Sequence, residues 1–371
     1  MPNRWEAVRA EFPALGKLTY LNTATFGQVP RCAVDAAAKH FTHRDELACA
    51  DFLEWFDDMD RLRGTIGRLI HCTADDVAFV PNASAALAIV LAGVDWRTGD
   101  KIVTLENEFP NNLYAPAVLE RLGVGFAETP WERFYESIDA RTRLVVLSEV
   151  NYTNGFRPPL ADVASYLRTR GVLLFVDGTQ SVGALQIDVS VVQPDVLAVH
   201  GYKWLLSPNG AGFMYVRPEL RARLRPNEIG WRSHLDWRNV DNLHHGRPQL
   251  STMAEKYEAG MLPFALLYAM EASIEMILEI GPEAIEARVL DLADQTRAIL
   301  RQRGAVVANY RSPVVAGRFE NADAPQIARD LRERGVLVAA RHGNLRVSPH
   351  FYNNEEDLEC FRRALAAANM T

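Results

Sequence analysis

Short, wholly apolar runs separated by longer mixed stretches dominate the first two thirds of the chain. VAFV at Val77–Val80, LVVL within Leu144–Ser148, LLFV at Leu173–Val176 and VLAV at Val196–Val199 are rich in β-branched residues and carry no polar position. Runs of that length and composition suit strands buried on both faces, as in a parallel sheet covered by helices. Lys101–Leu105 reads as a further strand, and Gly212–Val216 as a hairpin partner or neighbour. Between them, spacing predicts helices over Arg4–Phe12, from Ala33 to about Ile70, from near Ala83, over Asn112–Leu122, Pro159–Arg170 and Leu262–Leu278. Strands alternating with helices predict an α/β fold with a mainly parallel sheet.

The pattern changes after Val216. Glu219–Leu250 is polar, aromatic and aperiodic. A loop of that length inside a domain is typically functional or part of an interface. From Glu283 the order helix, strand, strand, helix, strand, strand, helix predicts a smaller α+β unit, with Val336–Ala340 and Leu345–Ser348 as neighbouring strands. The expected division is an N-terminal segment, 1–20, packing with the small domain; a large domain, 21–265; and a small C-terminal domain, 266–371.

Composition narrows the class without changing this picture. At 371 residues, 48% hydrophobic and 23% charged, the chain has the make-up of a globular protein with more than one core. A net charge of −7 with scattered Lys and Arg gives no basic surface for nucleic acid or acidic lipid. Cys32, Cys49, Cys72 and Cys360 lack CxxC or metal-type spacing, so thiols in a reducing compartment are expected and no metal site. The N-terminus shows no signal-peptide core and no run is long enough to span a membrane, so a cytoplasmic protein is expected.

The chemistry gathers where two apolar runs end. Asp177 closes LLFVD, and Lys203 follows VLAVHGYKW, between Tyr202 and Trp204. Open α/β sheets bind ligands beyond the carboxyl ends of their strands. An amine in apolar surroundings is a competent nucleophile towards an aldehyde, and an acid beside it can pair with a pyridinium. Either residue alone fits a plainer role, Asp177 as a helix cap and Lys203 as a surface amine. Together they fit pyridoxal 5′-phosphate. FVPNASAAL runs strand, turn, helix start, so the N–H groups of Ala83 and Ser84 and the Ser84 hydroxyl can meet a phosphate, or simply belong to a capped helix. Gln180 is placed to reach the cofactor's phenolic oxygen, and His200 and Tyr202 its phosphate. Phe109, after strand Lys101–Leu105, offers a stacking face or covers the core. Arg346 in GNLRVS suits a substrate carboxylate, or a solvent-facing strand position.

With these residues assembled, the chain resembles the class V aminotransferase family of fold-type I pyridoxal phosphate enzymes. That family includes cysteine desulfurases, kynureninases, isopenicillin-epimerase-like proteins and C–S lyases. The resemblance runs from YLNTA near Tyr20 to SPHFYNNEEDLE, with VDGTQSVG…D…HGYKW its most specific part. It implies a large domain with a mainly parallel seven-stranded sheet and a small α+β domain. It also implies a homodimer with cofactor sites at the interface and an amino-acid-like substrate. By the resemblance Lys203 forms the internal aldimine, Asp177 pairs with the ring nitrogen, and Arg346 holds the substrate carboxylate. Gln180 faces the phenolic oxygen, with Tyr152 near the family's asparagine beside it. Ala83, Ser84, His200 and Tyr202 contact the phosphate, and Phe109 stacks on the ring.

Three departures stand out. VLVAARHGNLRVS has no cysteine where desulfurases carry their nucleophile, so desulfurase activity is not expected. Gly260-Met261 replaces the family's Gly-Thr, whose threonine touches the phosphate in the partner subunit, and Trp231 resembles the aromatic at that interface site. Phe109 stands where desulfurases have a histidine. The expected activity is aminotransfer. The alternatives are a β-eliminating or C–S lyase and a non-catalytic pyridoxal phosphate-binding protein. A nicotinamide oxidoreductase is excluded because no GxGxxG opens a first βα turn.

Overall fold

The computed structural model describes residues 4–243, 246–320 and 322–368. Seven strands form the main sheet: β1 Val77–Val80, β2 Lys101–Leu105, β3 Gly125–Thr129, β4 Thr142–Ser148, β5 Leu173–Asp177, β6 Val196–His200 and β7 Gly212–Val216. Their order is β1-β7-β6-β5-β4-β2-β3. β3, β2, β4, β5 and β6 run parallel, and β7 lies antiparallel between β6 and β1. This is the fold-type I α/β arrangement. Alternate residues of each strand enter two different cores. Val77, Phe79, Val103, Val145, Leu147, Leu174, Val176, Leu197 and Val199 pack on one face. Ala78, Val80, Ile102, Leu144, Val146, Phe175, Val196 and Ala198 pack on the other. The period-2 alternation of a strand explains why these runs are apolar throughout.

The structure revises several element boundaries. The stretch expected to be helical from Ala33 to Ile70 is two helices, Arg31–Leu47 and Phe52–Ile70, broken where Ala48 adopts a left-handed φ of 55°. The first helix ends at Arg9, followed by a 3₁₀ turn at Pro13–Gly16. The helix expected over Asn112–Leu122 is α-helical only over Pro110–Ala117 and tightens to 3₁₀ over Val118–Leu122. Pro116, lacking an N–H, weakens the ladder there. β3 escaped the sequence reading because it is an edge strand, GFAET, exposed or half-exposed over most of its length. The long C-terminal apolar helix begins after Pro263 and spans Phe264–Ile280.

The aperiodic segment after β7 holds only short helical turns, yet it is firmly anchored. Glu258 accepts from Arg63 at 2.7 Å, from Arg232 at 2.9 Å and from the Phe79 N–H at 2.7 Å. All three charged side chains are buried. A second sheet, antiparallel, has the order Ala339–Arg341, Asn344–Val347, Val315–Arg318, Val306–Val307. Thr19–Tyr20 pairs parallel with Val336–Leu337, and Arg9 meets Asp357 at 2.7 Å. The N-terminal segment is thereby tied to the C-terminal unit. Among the described residues no helix is long and apolar enough to cross a membrane.

Candidate active site

Three adjacent parallel strands deliver the central groups. Ser148 at the end of β4 is in register with Asp177 at the end of β5, and Asp177 with Ala198 of β6. β6 continues through His200 into the turn carrying Lys203. That turn exists because two glycines make room for it. A Cβ on Gly27 would lie 1.9 Å from the Lys203 carbonyl oxygen, and one on Gly183 would lie 2.3 Å from that of Trp204. Leu206 completes the turn with a left-handed φ of 57°, and its N–H reaches the Lys203 carbonyl at 3.2 Å. A non-glycine residue in that region costs about 1 kcal/mol or more, so the surrounding packing holds the turn against a local preference. His350 helps by bonding the Trp204 carbonyl through Nε2 at 3.0 Å.

Ala83, Phe109, Asn111, Ser148 and Tyr152 line one cleft with Asp177, Thr179, Gln180, His200, Tyr202 and Lys203. Lys203 is buried, and its Nζ lies 5.4 Å from the Phe109 ring centroid and 5.3 Å from that of Tyr202. Burial lowers its pKa to about 7, against the opposing pull of Asp177. Burial likewise raises the pKa of Asp177, opposed by hydrogen bonding from Thr179 and by the Lys203 charge. Burial and Lys203 lower His200 to about 4, so its ring is neutral at pH 7. Nε2 of that ring accepts from the Gly210 N–H at 3.3 Å, which assigns the proton to Nδ1.

These groups fit pyridoxal phosphate on structural grounds. Asp177 is a buried carboxylate whose charge the chain compensates only in part, a setting a pyridinium would complete. The helix Ala83–Gly93 starts at the cleft, and its Asn82 side chain caps the Ala85 N–H at 2.9 Å. The N–H groups of Ala83 and Ser84 precede the first intrahelical donor and have no acceptor within the helix. Phe109 supplies a ring face beside the lysine. Gln180 is held at both ends, donating to the Ala24 carbonyl and accepting from the Trp204 indole, each at 3.0 Å. Its amide keeps a second N–H for a ligand.

Some expected groups sit outside the cleft lining. Ser84 is half-buried in the first helical turn, whereas Ala83 itself lines the cleft. Arg346 is buried and reaches the region from the second sheet, donating to the Tyr152 carbonyl at 2.8 Å and to the Thr25 hydroxyl. Its Nε is buried without a partner. Trp231 is not brought to this cleft. It packs on Phe56 and Trp237, with centroids 6.1 and 5.5 Å away, because the neighbouring Arg232–Glu258 pair holds its loop against the helix Phe52–Ile70.

Thr179, Ser148 and Asn111 were not singled out by the sequence. Thr179 donates its N–H to Asp177 at 2.9 Å, and its hydroxyl accepts from the His200 N–H at 3.1 Å. It thus fixes the acid and the histidine together. The DGT turn after a strand was the available signal. Ser148 reports to a buried partner, Glu108, which takes both its N–H and its hydroxyl proton. Cleft size would not have found the site. A larger cleft of about 590 Å³ lies near Glu149, Arg157 and Tyr310 and contains no comparable amine–acid pair.

Known proteins resemble this chain over nearly its full length. A protein described as a probable cysteine desulfurase from Methanothermobacter thermautotrophicus is 24% identical, over 98% of this chain and 97% of its own. Isopenicillin N epimerase from Streptomyces clavuligerus is 28% identical over 98% of both chains. A solved structure of a cystine C–S lyase in complex with its product, cysteine persulfide, superposes with a TM-score of 0.88 at 22% identity. It covers 96% of this chain and 100% of that one.

The desulfurase relative overturns the exclusion drawn from the missing cysteine. One side chain on a hairpin is a local difference on a framework shared end to end, and it does not separate this chain from desulfurases. Pyridoxal 5′-phosphate is the family's cofactor. The family description "Aminotransferase class-V" matches residues 19–369, and the chain belongs to that family.

Proposed function

We propose that this protein is a pyridoxal phosphate-dependent lyase that removes a sulfur substituent from Cβ of an amino acid. One observation carries the pyridoxal phosphate part of this reading: a buried amine with its pKa lowered to about 7 faces a buried, under-compensated carboxylate at the ends of adjacent strands. Pyridoxal phosphate supplies an electron sink for the pair left at Cα when its proton departs. Lys203 would hold the cofactor and, as a free amine, would carry the Cα proton. Asp177, braced by Thr179, would keep the ring nitrogen protonated. The Ala83 and Ser84 N–H groups and the His200 Nδ1–H would hold the phosphate, with Tyr202 beside them. Phe109 would offer a ring face, Gln180 an amide for the phenolic oxygen, and Arg346 a guanidinium for the substrate carboxylate.

Aminotransfer, the first expectation from sequence, needs the same residues, so the geometry alone does not favour it. The C–S lyase and desulfurase descriptions among the relatives weigh towards cleavage beyond Cα. Supplied with pyridoxal phosphate and cysteine, cystine or S-alkylcysteines, the protein should release ammonia and pyruvate without a keto-acid acceptor. Amino transfer to an added keto acid with no ammonia would overturn the lyase reading.

The working unit on this reading is a homodimer. Phe26, Ile229, Leu235, Met253 and Met261 are exposed apolar side chains, most of them in the aperiodic segment after β7 and its continuation. Light scattering that finds only monomer in the cofactor-loaded protein would refute this.

A further inference from the structure

Tyr152 does something an asparagine cannot. The family places an asparagine near this position, whereas Tyr152, a residue with a titratable O–H, lines the cleft that holds Lys203 and Asp177. Its ring meets Phe109 edge-on at 5.1 Å, and its carbonyl is held by Arg346 at 2.8 Å. Its hydroxyl lies 2.9 Å from Nε2 of His342, a residue of the second sheet. His342 and Gly343, with φ of 48° and 77°, form the two-residue turn of the hairpin joining Ala339–Arg341 to Asn344–Val347. Such turns favour Asn or Gly at the first position, so a histidine there is held in a costly conformation. His342 is exposed and Tyr152 half-buried, so the pair links the cleft to solvent.

We propose that Tyr152 is a catalytic residue that protonates the sulfur leaving Cβ, with His342 positioning and recharging it. This deepens the proposed lyase reading and rests on it. In the elimination the Cα proton passes to Lys203, and the Cβ–S bond breaks with its electron pair going to sulfur. The Tyr152 O–H proton joins that sulfur, so a neutral thiol departs. The phenolate regains a proton from His342 Nε2–H while the exposed Nδ1 of the same ring takes one from water, so the imidazole changes tautomer and stays neutral. Burial raises the Tyr152 pKa, opposed by Arg341 and Arg346, so the phenol stays protonated at neutral pH as a donor must. The nearby guanidiniums suit the transient phenolate. An alkanethiolate is a basic leaving group and benefits from a proton, whereas chloride needs none.

The test compares two substrates on the pyridoxal phosphate-loaded protein: S-methylcysteine, which loses an alkanethiol, and β-chloroalanine, which loses chloride. In Tyr152→Phe the ratio of kcat for S-methylcysteine to that for β-chloroalanine should fall by about 10², the lower range for a general acid. In His342→Ala the ratio should fall by about tenfold, with partial recovery in His342→Gln, which can still donate to the phenol. An unchanged ratio in Tyr152→Phe overturns the proposal, whatever happens to the absolute rates. A wild type that eliminates neither substituent overturns the lyase reading and this proposal together. A wild type that eliminates both, with a constant ratio across the variants, overturns this proposal alone.

Discussion

Glu258 and Asp177 are both buried acids beside the same sheet, and the chain treats them differently. Glu258, against edge strand β1, receives two guanidiniums and a backbone N–H, all within 2.9 Å. Asp177, at the end of central strand β5, receives the Thr179 N–H and the charge of Lys203, and its pKa remains raised by burial. The first acid is satisfied by its own chain and fastens the segment after β7. The second is left short of compensation, beside an amine that burial has also made reluctant to charge. A buried charge completed internally is structural, and one left incomplete is prepared for a ligand.

Mutations can break this contrast. Lys203→Ala should abolish the visible absorption of the bound cofactor and lower turnover by about 10⁴, with the thermal midpoint barely changed. Glu258→Ala should do the reverse. Stranding two buried guanidiniums should cost about 3–5 kcal/mol in denaturant unfolding, while activity per folded molecule largely survives. A loss below about 1 kcal/mol would remove the structural half of the comparison. Asp177→Asn should lower kcat by about 10²–10³ through loss of a preorganised charge, with stability equal or slightly higher. If Asp177→Asn unfolds the protein as Glu258→Ala does, the two acids are not different in kind.

A pH series sharpens the same point with a smaller effect. Only the neutral amine combines with an aldehyde, so uptake of pyridoxal phosphate by cofactor-free protein should rise about tenfold per unit below pH 7 and level off above it. Stability carries the matching sign. The native pKa of Lys203, about 7, lies below its ordinary 10.5, so the unfolded state binds more protons between those values. The Lys203 contribution should therefore increase the stability of cofactor-free protein as pH rises through that window. Lys203→Met should flatten that part of the profile. Uptake independent of pH between 6 and 8 would contradict a lowered lysine pKa.

Much of the fold was legible because strands buried on both faces must be apolar at every position. Val77–Val80, Lys101–Leu105 and Gly212–Val216 match the structure at both ends. Edge strand β3 was not legible, since one half-exposed face leaves no continuous run. The break at Ala48 was missed because nothing in its side chain demands a left-handed backbone. In the site, Lys203, Asp177 and Phe109 stood out as chemistry at strand ends. Thr179 and Ser148 did not, because their importance lies in partners at other positions. Within one chain Trp231 packs on Phe56 and Trp237, a placement that its aromatic character alone did not indicate.

The sequence by itself determined the buried strands of the main sheet, the class of cofactor and the family resemblance, because each depends on residue type and short-range spacing. Only the tertiary structure decided which groups share a cleft, which acid is left under-compensated, and that His342 in the hairpin turn of the second sheet meets Tyr152 in the turn after β4. Those depend on distances between segments far apart in the chain, 190 residues in the case of Tyr152 and His342, and on the loss of water around them, and neither is written in local pattern.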